Sequence, residues 1–107
     1  MAEQPETRFK NRIKPLLLDL PNSYWIKIQQ MGLCGHPDFV GCINGQMIAI
    51  ELKKDKHEQP TPIQKWHLEK IAASGGLAFV VCPENWANTY SLLNDLACNN
   101  LDVASKH

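Results

Sequence analysis

The chain has 107 residues, 44% of them hydrophobic, and a formal net charge of zero from 11 basic and 11 acidic side chains. This length suits a single domain, 1–107, with one core and little room for an appended module. No apolar run is long enough to cross a bilayer, and polar residues 1–10 lack the pattern of a secretory signal. Zero net charge is unusual for a nucleic-acid-binding protein, but residues 1–70 carry ten basic and eight acidic side chains.

The four cysteines show neither a C-x-x-C spacing nor a paired histidine signature, which argues against a zinc site. Cys42 and Cys82 lie in apolar runs, where a free cysteine usually behaves as a small buried hydrophobe. Unpaired cysteines of this kind predict a reducing, cytoplasmic setting.

Residues 5–20 predict the first helix, with Pro5 at its first turn. An apolar stripe at helical spacing would face the core, formed by Phe9, Ile13, Leu16, Leu17 and Leu20. Pro15 conflicts with one regular helix, because it removes a hydrogen bond, and it predicts a kink or two short helices. Four cations surround the stripe, and they are either a solvated face or phosphate contacts: Arg8, Lys10, Arg12 and Lys14.

Three strands follow, the first predicted over residues 24–30 and separated from the next by a glycine-containing loop at 31–36. The apolar runs 39–43 and 47–52 are joined by Asn44-Gly45, which is the strongest short signal for a β-hairpin. A two-residue turn sets the register, so that Asp38 lies opposite Glu51.

The predicted hairpin therefore places two carboxylates, Asp38 and Glu51, opposite each other, and strand alternation puts Lys53 on the same face as Glu51. At ~5 Å and an effective dielectric of ~20 the repulsion between the carboxylates is roughly 3 kcal/mol. Oxygen ligands of this kind suit a hard divalent cation, Mg²⁺ or Mn²⁺. Two interpretations are open: metal-assisted phosphodiester hydrolysis, or a solvated hairpin end with scattered charges.

The remaining third of the chain predicts a loop at 54–60, a helix at 62–74 and a strand at 77–82. Thr61 suits the N-cap of this helix and Gly75-Gly76 its end. The helix residues expected in the core are Ile63, Trp66, Leu68 and Ile71. The continuous apolar run 77–82 predicts a strand buried on both faces. A last helix would start at residues 83–85 and end near 98, followed by a frayed tail. The order αβββαβα predicts an α/β fold with a mixed central sheet flanked by helices.

Several segments resemble one nuclease family. Pro37-Asp38 followed by Glu51-Leu52-Lys53 resembles the PD-(D/E)XK nuclease signature. The chain is more specifically similar to the VRR-NUC (virus-type replication-repair nuclease) branch of that superfamily. Four elements carry this resemblance, over about residues 6–81: Gly35-His36-Pro37-Asp38-Phe39, the strand 48–53, Thr61-Pro62-Ile63-Gln64, and Glu6 on the first helix.

The resemblance implies a restriction-endonuclease-like core and a Mg²⁺- or Mn²⁺-dependent endonuclease acting on duplex or branched DNA, such as four-way junctions. It implies a metal bound by Asp38, Glu51 and the Leu52 carbonyl, with Lys53 orienting the attacking water or stabilising developing charge. Gln64 and Glu6 would complete the site, although Glu6 either assists the metal or only complements the helix dipole. The candidate DNA contacts are Gly35, His36, Lys54, Lys56 and Lys65.

The resemblance further implies a DNA-repair nuclease of a bacterial or phage-infected cell that acts as a homodimer. We expect the dimer interface on the last helix, where Trp86 and Tyr90 exceed the evident needs of the core. Two other functions are open at this point. One is a non-catalytic nucleic-acid-binding module on the same fold. The other is a protein-interaction domain with a surface formed by Trp66, Trp86 and Tyr90.

Overall fold

The computed structural model describes residues 4–28 and 35–98, and the predicted order αβββαβα is confirmed. The elements are α1 (Pro5–Leu18), β1 (Ser23–Lys27), β2 (Phe39–Ile43), β3 (Gln46–Leu52), α2 (Pro62–Ala73), β4 (Leu77–Val81) and α3 (Trp86–Cys98). The predicted first strand is shorter than expected, because β1 ends at Lys27. Residues 29–34, which include most of the predicted loop, and the tail from residue 99 lie outside the described ranges.

The four strands form one mixed sheet in the order β1-β2-β3-β4. Antiparallel pairing joins β1 to β2 and β2 to β3, whereas β3 and β4 are parallel and connected through α2. Parallel neighbours need such a crossover because the chain must return to the starting end of the sheet before the second strand begins, and a tight turn is too short for that. The predicted helical crossover is therefore confirmed.

The hairpin between β2 and β3 has the predicted register. Ile43 pairs with Gln46 and Phe39 pairs with Ile50. Asn44 and Gly45 have φ angles of 52° and 85°, as a two-residue type I′ turn requires. The Asn44 side chain also donates to the carbonyl oxygens of Leu96 and Ala97, at 2.6 and 2.9 Å, which fixes the turn against α3.

The core lies between one face of the sheet and helices α1 and α3. Side chains from both helices and from alternate strand positions make up one buried cluster, which includes Phe9, Ile13, Leu17, Trp25, Phe39, Ile43, Ile48, Ile50, Leu52, Val81, Trp86 and Leu93. The expectation of two short helices at Pro15 is wrong, since α1 is continuous through Leu18 with Pro15 inside it. Burial of its apolar stripe compensates the lost hydrogen bond, but Leu16 of that stripe remains exposed.

Helix α2 packs on the opposite face of the sheet, and most of its apolar residues do not enter the core. Leu68 is buried, but Ile63 and Trp66 are 42% and 54% exposed and Ile71 is half-buried. The expectation that Ile63 and Trp66 belong to the core is therefore wrong. The physical reason is that α2 packs beside β4 at the edge of the sheet. Contact with this one strand buries Leu68 and leaves the other sides of the helix exposed.

Three further expectations about burial are wrong. Strand β4 is not buried on both faces, because Val81 is its one buried residue and Val80 is 37% exposed. Cys42 is exposed because no helix covers its part of the sheet, although Cys82 is buried as expected. Trp86 is buried and Tyr90 packs against the core cluster, so neither side chain is surplus to the core.

Within the described ranges, no helix is both long and apolar enough to span a bilayer.

Candidate active site

The site is built around Asp38, which directly precedes β2 and is 7% exposed. Its backbone carbonyl accepts a hydrogen bond from the N–H of Ile28 at 2.8 Å. Its carboxylate contacts two other elements: Oδ2 accepts from the backbone N–H of Leu52 at 2.8 Å, and Oδ1 lies 3.0 Å from Nζ of Lys10 on α1. Asp38 is thereby held rigidly at the point where β2, β3 and α1 meet.

Glu51 on β3 is the second carboxylate of the site and is 3% exposed. Its Oε2 lies 3.4 Å from Nζ of Lys53. Its Oε1 is buried and has no hydrogen-bond partner in the described part of the chain. Burial, followed by the repulsion of Asp38, raises the pKa of Glu51 from 4.5 to about 7, against the opposing effect of Lys53. Lys53 therefore does not fully offset burial and the charge of Asp38, and a further positive charge beside Glu51 would favour its ionised form.

Lys53 is 4% exposed, and its ammonium group is held by three oxygen atoms. Nζ donates to Oε1 of Gln64 at 2.8 Å and lies 3.4 Å from Oε2 of Glu51 and 4.0 Å from Oε2 of Glu58. Its backbone N–H donates to the carbonyl of Val81 at 2.8 Å, which fixes the end of β3. These contacts give the buried lysine a defined position beside the carboxylates of Glu51 and Glu58.

The start of α2 positions Gln64 against Lys53. Thr61 is the N-cap, as predicted, and Gln64 occupies the N3 position of a capping box. Oε1 of Gln64 accepts from the Thr61 backbone N–H at 2.9 Å as well as from Lys53. The same oxygen therefore caps the helix and orients the lysine.

Glu6 lies within electrostatic reach of this site. Burial, then the charges of Glu58 and Asp38, raise its pKa above 4.5, whereas Lys53 and Lys10 act in the opposite direction. The described residues nevertheless contain no group of three or more His, Cys, Asp or Glu side chains arranged to hold a metal.

Two members of the site were not predicted from the sequence as such: Lys10, which was named only among four cations of the first helix, and Glu58. Lys10 follows Glu6 by four residues and therefore lies on the same face of α1, a signal that could have paired it with the site. Glu58 is placed by a turn in which Oδ1 of Asp55 accepts from the backbone N–H groups of His57 and Glu58, at 2.8 and 3.1 Å. No pattern in the sequence connects Glu58 with Lys53.

The geometry is compatible with a hard divalent cation. Asp38 and Glu51 present oxygen ligands only, and the unpartnered Oε1 of Glu51 is a buried atom that a cation would satisfy. Leu52, whose carbonyl is the third ligand that the resemblance implies, follows Glu51 at the end of β3, and its backbone N–H contacts Asp38. Two carboxylates would leave room for several water ligands, as Mg²⁺ usually requires.

Two clefts adjoin the site and contain the predicted lysine contacts. A cleft of about 450 Å³ extends from Lys53 and is lined by Lys56 and Lys65, with acidic side chains also present. A second cleft, of about 560 Å³, is lined by three cations from α1 and the segment after β3: Arg8, Arg12 and Lys54. Among the described residues, no acidic side chain lines the second cleft, so it attracts anions.

Gly35 and His36 lie beside α2. Gly35 has a φ of +70°, and a Cβ atom there would lie 2.7 Å from Cγ2 of Ile63, so only glycine allows this approach. The His36 ring lies 4.4 Å from the His67 ring, measured between centroids. The segment before Asp38 is thus packed on the helix that carries Gln64.

The fold is a small α/β core with a four-stranded mixed sheet, which is consistent with a PD-(D/E)XK-like core. Solved structures allow a closer comparison. A structure described as a VRR_NUC domain is 24% identical to this chain over 88% of its length and 95% of that structure's, with a TM-score of 0.65. Another, described as a VRR_NUC domain protein, is 22% identical and covers 90% of each chain, with a TM-score of 0.66. No protein-family profile and no curated protein matches the sequence. The predicted VRR-NUC resemblance is confirmed, and this chain has the fold of those domains.

Proposed function

We propose that the protein is a VRR-NUC-type endonuclease that hydrolyses DNA phosphodiester bonds with Mg²⁺ or Mn²⁺. The observation that carries this proposal is the buried pair formed by Asp38, directly before β2, and Glu51 on β3, with Lys53 3.4 Å from Glu51. Two buried acids side by side destabilise a fold unless a cation neutralises them. Lys10 and Lys53 already lie beside the two acids, yet Oε1 of Glu51 has no partner among the residues that the structure describes, and a bound cation would supply one. The pair therefore supports a metal-dependent function better than a structural one.

The residues divide into ligands and positioning groups. Asp38, Glu51 and the Leu52 carbonyl would hold the cation, which supplies Lewis-acid polarisation of the phosphate and a more acidic bound water. Lys53 is directed into the same space by Gln64, and its ammonium group stabilises negative charge that develops on the phosphate. Glu6, whose pKa responds to the charges of Asp38 and Lys53, is the candidate for assisting the metal from α1.

The cleft lined by Arg8, Arg12 and Lys54 is the proposed path of the DNA backbone. Lys54 follows Lys53 directly, so a strand with its scissile phosphate at Lys53 would pass its neighbouring phosphates along this cleft. Three phosphate contacts give a slope of about −3 in the logarithm of affinity against the logarithm of salt concentration. Binding should therefore be modest and sensitive to salt.

A plasmid-nicking assay tests the catalytic proposal. Purified protein is incubated with supercoiled plasmid in Mn²⁺, Mg²⁺ or EDTA, and nicking is expected with the metals only. Asp38→Asn and Glu51→Gln should be inactive, whereas Asp95→Asn, which removes an exposed acid on α3, should cleave like wild type. Metal-independent nicking, or full activity of Asp38→Asn, would refute the assignment.

The substrate is proposed to be branched DNA, on the strength of the family resemblance. Labelled duplex, flap, splayed-arm and four-way-junction DNAs, cut in Mn²⁺, give the ranking directly. A homodimer is also proposed, because a branched substrate needs two symmetry-related cuts. Light scattering should report twice the monomer mass at micromolar concentration, and a monomer throughout would contradict the dimer. The burial of Trp86 gives no support to an interface centred on it.

A further inference from the structure

A row of aromatic and cationic side chains extends from the active site along α2. It begins at His36, whose ring centroid lies 4.4 Å from that of His67. The His67 ring lies 5.1 Å from the Trp66 ring in an edge-to-face arrangement, and Nζ of Lys70 lies 5.6 Å from the Trp66 centroid. We call these four residues, His36, His67, Trp66 and Lys70, the α2 strip.

The α2 strip makes little contribution to the core. Trp66 is 54% exposed, whereas the other two tryptophans, Trp25 and Trp86, are 8% and 9% exposed. A large aromatic ring that stays in water forgoes most of its possible burial energy. The cluster of exposed ring and cation is the combination that binds nucleobases and the phosphates between them.

The α2 strip is connected to the proposed reaction centre in two ways. His36 is two residues before Asp38, and α2 also carries Gln64, which contacts Lys53 at 2.8 Å. Contact between Gly35 and Ile63 holds the segment before Asp38 on the same helix. Trp66 therefore shares a helix with a residue of the reaction centre, two positions after Gln64.

We propose that Trp66 is a stacking platform for an unpaired base of the DNA, with Lys70 as its phosphate contact. The choice of DNA as the ligand rests on the nuclease function proposed above, although base binding itself does not require cleavage. A base that stacks on the indole would replace the Lys70 ammonium, which can then turn to the adjoining phosphate. Helix α2 carries two cations, Lys65 and Lys70, against one acid, Glu69, so its net positive charge favours single-stranded DNA over an apolar protein partner.

The test is a binding measurement in EDTA, where cleavage does not interfere. Fluorescence anisotropy is recorded with a short labelled oligothymidylate and with a duplex of equal length. Trp66→Ala should weaken oligothymidylate binding roughly 5- to 100-fold and lower the preference for single strand over duplex. Trp66→Phe should restore most of the affinity, because phenylalanine also stacks. Tyr24→Ala removes another exposed aromatic, on β1, and should bind like wild type.

Salt dependence separates the ring from the cation. The loss caused by Trp66→Ala should be the same at about 50 and about 200 mM salt, since stacking releases no counterions. Lys70→Met should instead reduce the salt slope for single-stranded DNA by about 0.7. Wild-type tryptophan fluorescence should be quenched by oligothymidylate, and Trp66→Phe should remove most of that quenching.

Two results would overturn the proposal. One is unchanged oligothymidylate affinity in folded Trp66→Ala, as judged by its thermal melt. The other is a change from dimer to monomer in sedimentation of Trp66→Ala, which would show that a second copy of this chain covers the indole. The nicking and binding assays distinguish the two proposals. If the protein does not cleave DNA but its binding depends on Trp66, only the nuclease function is refuted. If it cleaves DNA but its binding does not depend on Trp66, only the stacking platform is refuted.

Discussion

The ionisation of Glu51 leads to a quantitative prediction about stability. Burial and the neighbouring Asp38 raise its pKa from 4.5 to about 7. The folded state binds the Glu51 proton more tightly than the unfolded state does. The contribution of this proton to the free energy of unfolding is therefore fully present below about pH 4.5. It is lost as the pH rises through about 7. At ~1.4 kcal/mol per pH unit, this shift amounts to about 3 kcal/mol.

Glu51→Gln removes the titration while it keeps the shape of the side chain. In EDTA, the free energy of unfolding of wild type should fall by about 2.5 kcal/mol relative to that of Glu51→Gln between about pH 5 and about pH 8. Urea denaturation of both proteins across this range measures the difference, in which all other titrations cancel. Asp95→Asn controls for the loss of one acid, and it should differ from wild type by no more than about 0.5 kcal/mol.

Metal should reverse the effect at high pH. Mn²⁺ at about a hundred times its dissociation constant should stabilise wild type by roughly 2.7 kcal/mol, and should leave Glu51→Gln nearly unchanged. A flat difference between wild type and Glu51→Gln across the pH range would refute the reasoning. It would mean that the Lys53 ammonium, 3.4 Å away, already compensates for burial and for Asp38.

Three further predictions concern the groups around Glu51. Asp38→Asn should abolish both cleavage and the rise in melting temperature with Mn²⁺; an equal rise in wild type and variant would contradict the metal site. Lys53→Ala should cleave ~10²- to 10³-fold more slowly while binding Mn²⁺ at least as tightly in calorimetry, and wild-type cleavage would refute its role. Gln64→Ala and Thr61→Ala should each lose about 1 kcal/mol of stability through the α2 cap, measured by urea denaturation. Only Gln64→Ala also releases Lys53 and should slow cleavage; equal rates for the pair would show that Gln64 acts as a cap alone.

The amino-acid sequence determined the parts of the site that depend on neighbouring residues. Asn44-Gly45 specified the hairpin turn, and the turn fixed the register that brings Asp38 to the end of β3 beside Glu51 and Leu52. Thr61 specified the start of α2 in the same way. These features follow from backbone angles and hydrogen bonds within a few residues, so local chemistry is enough to predict them.

The tertiary structure alone decided which side chains are covered and which distant charges meet. Trp66 and Trp86 both occur in helices with apolar positions, yet one is exposed and the other buried, because α2 packs at the sheet edge and α3 over its centre. Lys10 and Glu58 reach Asp38 and Lys53 from separate elements. Burial and charge pairing depend on how whole elements pack, and no local pattern encodes that packing.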